Sequence, residues 1–255
     1  MGVNRKQPIN TNIGDFKLGE IMRYIDISKY QPIVDYSKLK SDGVEGVMIR
    51  VVSTNNDGVY IDPYFKQHYD GCKKYGIPVG AYWYTEAQSI SEVEKELKYV
   101  FSMLNNRQFE LPIAVDVESN YIKSIGKTAL TDIVLHALQT LEKNGYYSMW
   151  YTYKNYLSNL ETDRLKNYDF WLAYYTIFSS PNVGIKYGIH QYTSSGKISA
   201  INGNVDMNRF YKDYPTIIKN AGLNGYGERK SDGNSEVKKE LNEVIETLKK
   251  IIDKL

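Results

Sequence analysis

The 255-residue sequence predicts an α/β fold built as one large barrel domain, on three observations. Short apolar runs alternate with helix-periodic segments, which argues for a parallel sheet. The alternation repeats often enough to favour a closed barrel, and the length suits a single α/β barrel. The helical pattern thins out after Tyr147, so the later half of the barrel is expected to be irregular, with strands joined by loops. The runs read as strands are Met22–Ile27, Gly46–Val52, Ile77–Tyr84, Leu111–Val117, Tyr147–Tyr151, Phe170–Tyr175 and Tyr187–Tyr192.

Between the earlier strands the helices announce their own ends. Phe65, Tyr69 and Cys72 share one face of a helix opened by Asp62-Pro63 and closed by Gly76, which makes the single cysteine a core residue. After Ser89, the residues Val93, Leu97, Val100 and Leu104 form a stripe, and Glu92 completes a capping box. A further helix runs from about Lys127 to Asn144, with Gly145 as its stop. Only a short helical stretch, near Asn155–Leu165, is credible beyond it.

Composition changes at both ends. Residues 1–20 read as an N-terminal extension, 21–219 as the barrel, and 220–235, rich in Gly, Asn and charge, as a linker. From 236 to 255, Val237, Leu241, Val244, Leu248, Ile251 and Leu255 follow heptad spacing, the mark of an amphipathic helix. That segment is expected to self-associate into a homo-oligomer or to dock on the barrel.

Several function classes lack support. A net charge of +2 gives no case for nucleic acid or an anionic membrane, and no segment approaches a membrane span. The first residues lack an apolar signal region, so the chain is expected to be made in the cytoplasm without a signal peptide. One cysteine and three scattered histidines leave no metal site in prospect, and no nucleotide or serine-nucleophile motif implies a cofactor or that chemistry. Tyrosine is the outlier, with 24 copies against 7 Phe and 3 Trp. Such rings suit a sugar, and they equally suit a core.

The stretch I-A-V-D-V-E-S at 113–119 ends a buried strand on Asp116 and Glu118. Residues at i and i+2 of a strand face the same way, about 6.8 Å apart along the chain. In a barrel the C-terminal strand ends form the active face. Asp26 ends the first strand and Asp206 sits where an eighth should end, so four carboxylates would converge. Crowded acids in a water-poor cleft divide into one protonated and one ionised, which is what glycosidic cleavage requires. They would equally serve as loop caps or partners of Arg50.

These residues resemble the glycoside hydrolase family 25 lysozymes: Y-I-D-I-S-K-Y-Q at 24–31, G-V-M-I-R at 46–50, G-I-P-V-G-A-Y at 76–82, D-V-E at 116–118, W-L-A-Y-Y at 171–175, Q-Y-T-S-S-G at 191–196 and I-N-G-N-V-D-M-N at 201–208. The resemblance spans about residues 21–215. It implies an irregular TIM-like barrel of eight strands with fewer than eight helices, acting on peptidoglycan at the β-1,4 bond after N-acetylmuramic acid. Glu118 is then expected as general acid, and Asp116, Asp26 and Asp206 as the remaining acidic site residues. Either an aspartate or the substrate's N-acetyl group would attack the anomeric carbon. Tyr82, Tyr84, Tyr151, Trp171, Tyr175, Gln191 and Arg50 would line the sugar cleft. Position 83, often His in the family, is Trp here and is expected to alter sugar stacking.

Lysins of this family often carry a separate wall-binding module, which a 20-residue heptad helix cannot form. Either assembly supplies avidity, or a longer natural chain has been cut. A missing signal peptide with a substrate in the bacterial cell wall suggests a phage or mobile-element lysin. The alternatives are a catalytically silent wall-binding barrel and a chitinase-like glucosaminidase.

Overall fold

A computed structural model of the chain describes residues 23–55, 57–176, 178–227 and 244–245. The extension 1–20 and, apart from 244–245, the heptad segment lie outside the described residues. Eight strands close a barrel: β1 (Arg23–Ile27), β2 (Val44–Asn55), β4 (Val79–Tyr84), β5 (Ile113–Asp116), β6 (Ser148–Tyr153), β7 (Asp169–Ala173), β8 (Ile189–Gly196) and β9 (Val205–Phe210). A ninth, β3 (Gly58–Ile61), hangs outside the ring on β2. Neighbours from β1 through β2 and β4 to β8 are parallel, whereas β9 runs antiparallel to both β8 and β1.

Two features depart from the parallel sheet expected. The link between β8 and β9, residues 197–204, is too short for a crossover of a dozen residues, so the chain turns straight back. The strand β3 was not expected; its hairpin signal, Asp57-Gly58 with Gly58 at φ +107°, lies between two short runs.

Helices coat the first half of the ring: α1 (Tyr36–Leu39), α2 (Phe65–Lys74), α3 (Ile90–Leu104) and α4 (Lys127–Lys143). The second half has the four-residue α5 (Thr162–Leu165) and a 3-10 turn at Lys154–Asn159, as the thinning pattern implies. Ser89 accepts from the Glu92 backbone N–H to cap α3, and Gly145, at φ +78°, follows α4. Cys72 is fully buried. Among the described residues no helix is long and apolar enough to cross a membrane.

Inside the ring, chemistry changes with height. Tyr24, Met48, Ala114, Met149 and Ile189 form a lower apolar layer, and two residues further along their strands stand Asp26, Arg50, Asp116, Tyr151 and Gln191. Gly80 lets the lower layer fill, because a Cβ there would lie 2.4 Å from Met48 Sδ and 2.7 Å from the Pro112 carbonyl. Below it, α6 (Tyr214–Asn220) closes the base: Tyr214 packs edge-on to Phe210, whose ring stacks on Tyr24, and Tyr214 donates to Asp169.

The expected linker begins too early. Residues 221–227 are packed turns, and Asn224, fully buried at φ +54°, clamps three segments. Its Nδ2 donates to the Leu111 carbonyl (2.8 Å), its Oδ1 accepts from Tyr147 N–H (2.8 Å) and its own N–H donates to the Gly145 carbonyl (2.9 Å). Gly and Asn are here the residues of a tight turn, the same composition a linker uses. Replacing Asn224 by Ala strands a buried donor and a buried acceptor, so Asn224→Ala is expected to lower stability by about 3 kcal/mol. Urea unfolding checks this, and a loss below about 1 kcal/mol would assign the clamp no role.

Candidate active site

At the C-terminal end of the parallel strands opens a cleft of about 650 Å³, and all eleven side chains expected at the site line it: Asp26, Asp116, Glu118, Asp206, Arg50, Tyr82, Tyr84, Tyr151, Trp171, Tyr175 and Gln191. Asp26 and Asp206 are directly opposed across the β1–β9 ladder. Asp116 ends β5, and Glu118 stays in line because the ladder continues beyond the strand: Val117 N–H donates to the Tyr151 carbonyl and Thr152 Oγ1 to the Val117 carbonyl.

Hydrogen bonds fix the acids without neutralising them. Asp26 Oδ2 accepts from Gln191 Nε2 and Asn208 Nδ2, both at 2.9 Å. Asn208 is oriented by Trp171 Nε1 (2.8 Å), and Gln191 by the Tyr151 and Tyr175 hydroxyls at 3.1 and 3.0 Å. Arg50 does not pair with the acids; its Nε and guanidinium end bind Asp62 at 2.9 and 2.8 Å. Asp62 also accepts from the Lys29 backbone N–H at Oδ2 and from the Tyr64 backbone N–H at Oδ1, so both of its oxygens are engaged.

The acids therefore hold their protons above the usual carboxylate range. Burial, then the facing Asp206 charge, raises Asp26 well above the usual carboxylate range, against the Asn208 and Gln191 amides. Burial raises Asp206 too, while a hydrogen bond with Asp26 opposes it, so the two acids titrate as a pair. Asp116 is raised by burial, then by Glu118 and Asp26, and its Oδ1 has no hydrogen-bond partner. Burial and then Asp206 raise Glu118, which remains partly exposed to the cleft.

Trp83 corrects an expectation. Its neighbours Tyr82 and Tyr84 face the cleft, so Trp83 faces outward, fully buried under α3, and donates through Nε1 to Glu96 (3.1 Å). It cannot stack on a sugar. Strand alternation carried one residue further shows this from sequence alone. Sequence reasoning missed Asn208, Lys29, Tyr30 and Tyr60. The first three lie within the motifs that carry the resemblance but not at their acidic positions, and Tyr60 is on the unexpected strand β3.

An acid with a native pKa above its unfolded value of about 3.9 binds its proton more tightly when folded. Its contribution to stability is present at acid pH and is lost as pH rises between the two values. Asp116→Asn is thus expected to stabilise the fold by roughly 1–2 kcal/mol at pH 7, and the gain should close towards pH 4. Thermal unfolding at the two pH values tests it; a destabilised variant at pH 7 would contradict the buried-acid reading.

Residues 25–201 match the model of glycosyl hydrolases family 25. The autolytic lysozyme of Clostridium acetobutylicum is 30% identical over 190 residues, 74% of this chain and 56% of that protein, so this chain spans little more than half the length of that relative. Among solved structures, the catalytic domain of the endolysin from a Listeria monocytogenes bacteriophage is 27% identical with a TM-score of 0.66, over 78% of this chain and 98% of that one. The lysozyme of Streptomyces coelicolor shares the fold, with a TM-score of 0.67 at 20% identity over 82% of this chain and 99% of that one. With its mixed eight-stranded barrel and the family's model matched across most of its length, the chain belongs to glycosyl hydrolases family 25.

Proposed function

We propose that the protein is a peptidoglycan hydrolase, an N-acetylmuramidase that cleaves the β-1,4 bond after N-acetylmuramic acid with Glu118 as general acid. The observation that carries this reading is the cluster itself: a partly exposed carboxyl with a raised pKa, facing three further acids that form no ion pair with a Lys or Arg among the described residues. Burial, then the Asp206 charge, holds the Glu118 proton above the usual carboxylate range, and that proton goes to the leaving oxygen.

Asp116 takes the complementary part. Its carboxyl lines the cleft beside Glu118, placed to accept a hydrogen bond from the acetamido N–H of the sugar and so to turn the acetamido carbonyl towards the anomeric carbon. Asp26 and Asp206 surround the developing positive charge, one neutral and one ionised, with Asp26 fixed by its two amides. Tyr82, Tyr84 and Tyr175, the more exposed rings of the cleft, supply faces for a sugar beside the acids.

Glu118→Gln is expected to lower kcat on purified cell walls by about 10²–10⁴-fold. In the wild type, activity should fall as pH rises through the raised Glu118 pKa. Digestion of peptidoglycan, reduction and mass spectrometry identify the new ends. Reduced N-acetylmuramic acid supports the reading, reduced N-acetylglucosamine shifts it to the neighbouring bond, and binding without new ends makes the barrel a wall-binding module.

A further inference from the structure

One wall of the cleft has a charge opposite to the rest. Lys29, directly after the first strand's acidic motif, lines the cleft with Tyr30 and Tyr60. Its ammonium donates to the Tyr60 hydroxyl at 3.0 Å and lies 4.9 Å from the Tyr60 ring centre and 5.6 Å from that of Tyr30. Tyr30 is 73% exposed and also lies against the Arg50 guanidinium, 5.2 Å away.

Lys29 and Arg50 differ in what they still lack. Asp62 neutralises Arg50, and its oxygens are already engaged by Arg50 and two backbone N–H groups. Among the described residues the Lys29 ammonium has no carboxylate partner, although several acids line the same cleft. The Tyr60 hydrogen bond raises the Lys29 pKa, so the group keeps its charge. A phenol and two ring faces hold a cation in place without cancelling it, leaving it able to attract an anion.

We propose that Lys29, seated on Tyr60 beside Tyr30, is a specificity-determining residue that receives a carboxylate carried by the sugar strand. This rests on the muramidase reading above. Unsubstituted N-acetylglucosamine strands carry no such group, whereas muramic acid carries a lactyl carboxyl, free or extended into an acidic peptide. The cleft is therefore divided: acids face the glycosidic bond, and a cation beside them reads the substituent. The hairpin strand β3, which lies outside the barrel ring, carries Tyr60 to Lys29 while its Val59 packs on the core.

The test measures binding in a Glu118→Gln background, so that no ligand is cut. Isothermal titration is run with muramyl glycan fragments bearing the peptide, with fragments stripped to the lactyl carboxyl, and with each of these after its carboxyls are converted to amides. Lys29→Met is expected to weaken binding of the charged fragments roughly fivefold, to abolish their salt dependence and to leave the amidated fragments unaffected. Lys29→Arg should stay within about twofold of the parent on charged fragments. A loss confined to peptide-bearing fragments assigns the peptide carboxylates, a loss confined to stripped fragments assigns the free lactyl carboxylate, and a loss on both shows that Lys29 receives either one, because the peptide consumes the lactyl carboxyl as an amide. Equal weakening of charged and amidated fragments, no weakening, or no binding at all overturns the proposal. Release of reducing ends from walls by the wild-type chain is scored separately, so failure of the hydrolase reading is distinguished from failure of the Lys29 assignment.

Discussion

The site depends on how one carboxylate is held. Asp26 is fixed by two amides, Gln191 from β8 and Asn208 from β9, rather than by a cation. An arginine in their place would fix the same geometry, but it would pull the carboxyl down to permanent ionisation. Amides give orientation with little electrostatic relief, so mutual repulsion among the acids persists and a proton stays in the cluster. The net of bonds that starts at Asp26 runs to Trp171, Tyr151 and Tyr175, tying β1 to β6, β7, β8 and β9 across the seam where the barrel closes. The same interactions thus close the barrel and hold its acids.

Such an arrangement costs stability. Acids held above their ordinary pKa near neutral pH are groups the fold would do better without. The cost is carried by the layers below: the apolar tier of Tyr24, Met48, Ala114 and Met149, the base helix with Tyr214, and the Asn224 clamp. Arg50, the one cation among the strand residues expected at the site, is committed to Asp62 at the start of the α2 segment, and its charge acts on Asp116 only as the smallest of the influences on that carboxyl.

Much of this was legible in the sequence because strand alternation is a strict rule. Once I-A-V-D-V-E-S is read as a strand ending at the mouth, Asp116 and Glu118 must share a face, and the same logic places Asp26, Tyr82, Tyr84 and Tyr151. Trp83 was misassigned by following motif resemblance where alternation already gave the answer. The rest needed three dimensions. The reversal of β9 follows from the shortness of its loop, which apolar runs do not encode. The Asn224 clamp was hidden because Gly and Asn signal a turn without saying whether it is packed. Lys29 was invisible because its partner arrives on a four-residue strand, too short for a periodicity signal.

The reversed strand β9 has a mechanical meaning. The other three site acids sit in the last two residues of their strands or beyond them, whereas Asp206 is at the second residue of β9, followed on the same face by Asn208 and then Phe210. Phe210 rests on Tyr24 and against Tyr214 of the base helix. One extended segment therefore reaches from floor to mouth, joining the ring packing of the base helix to the acid that faces Asp26.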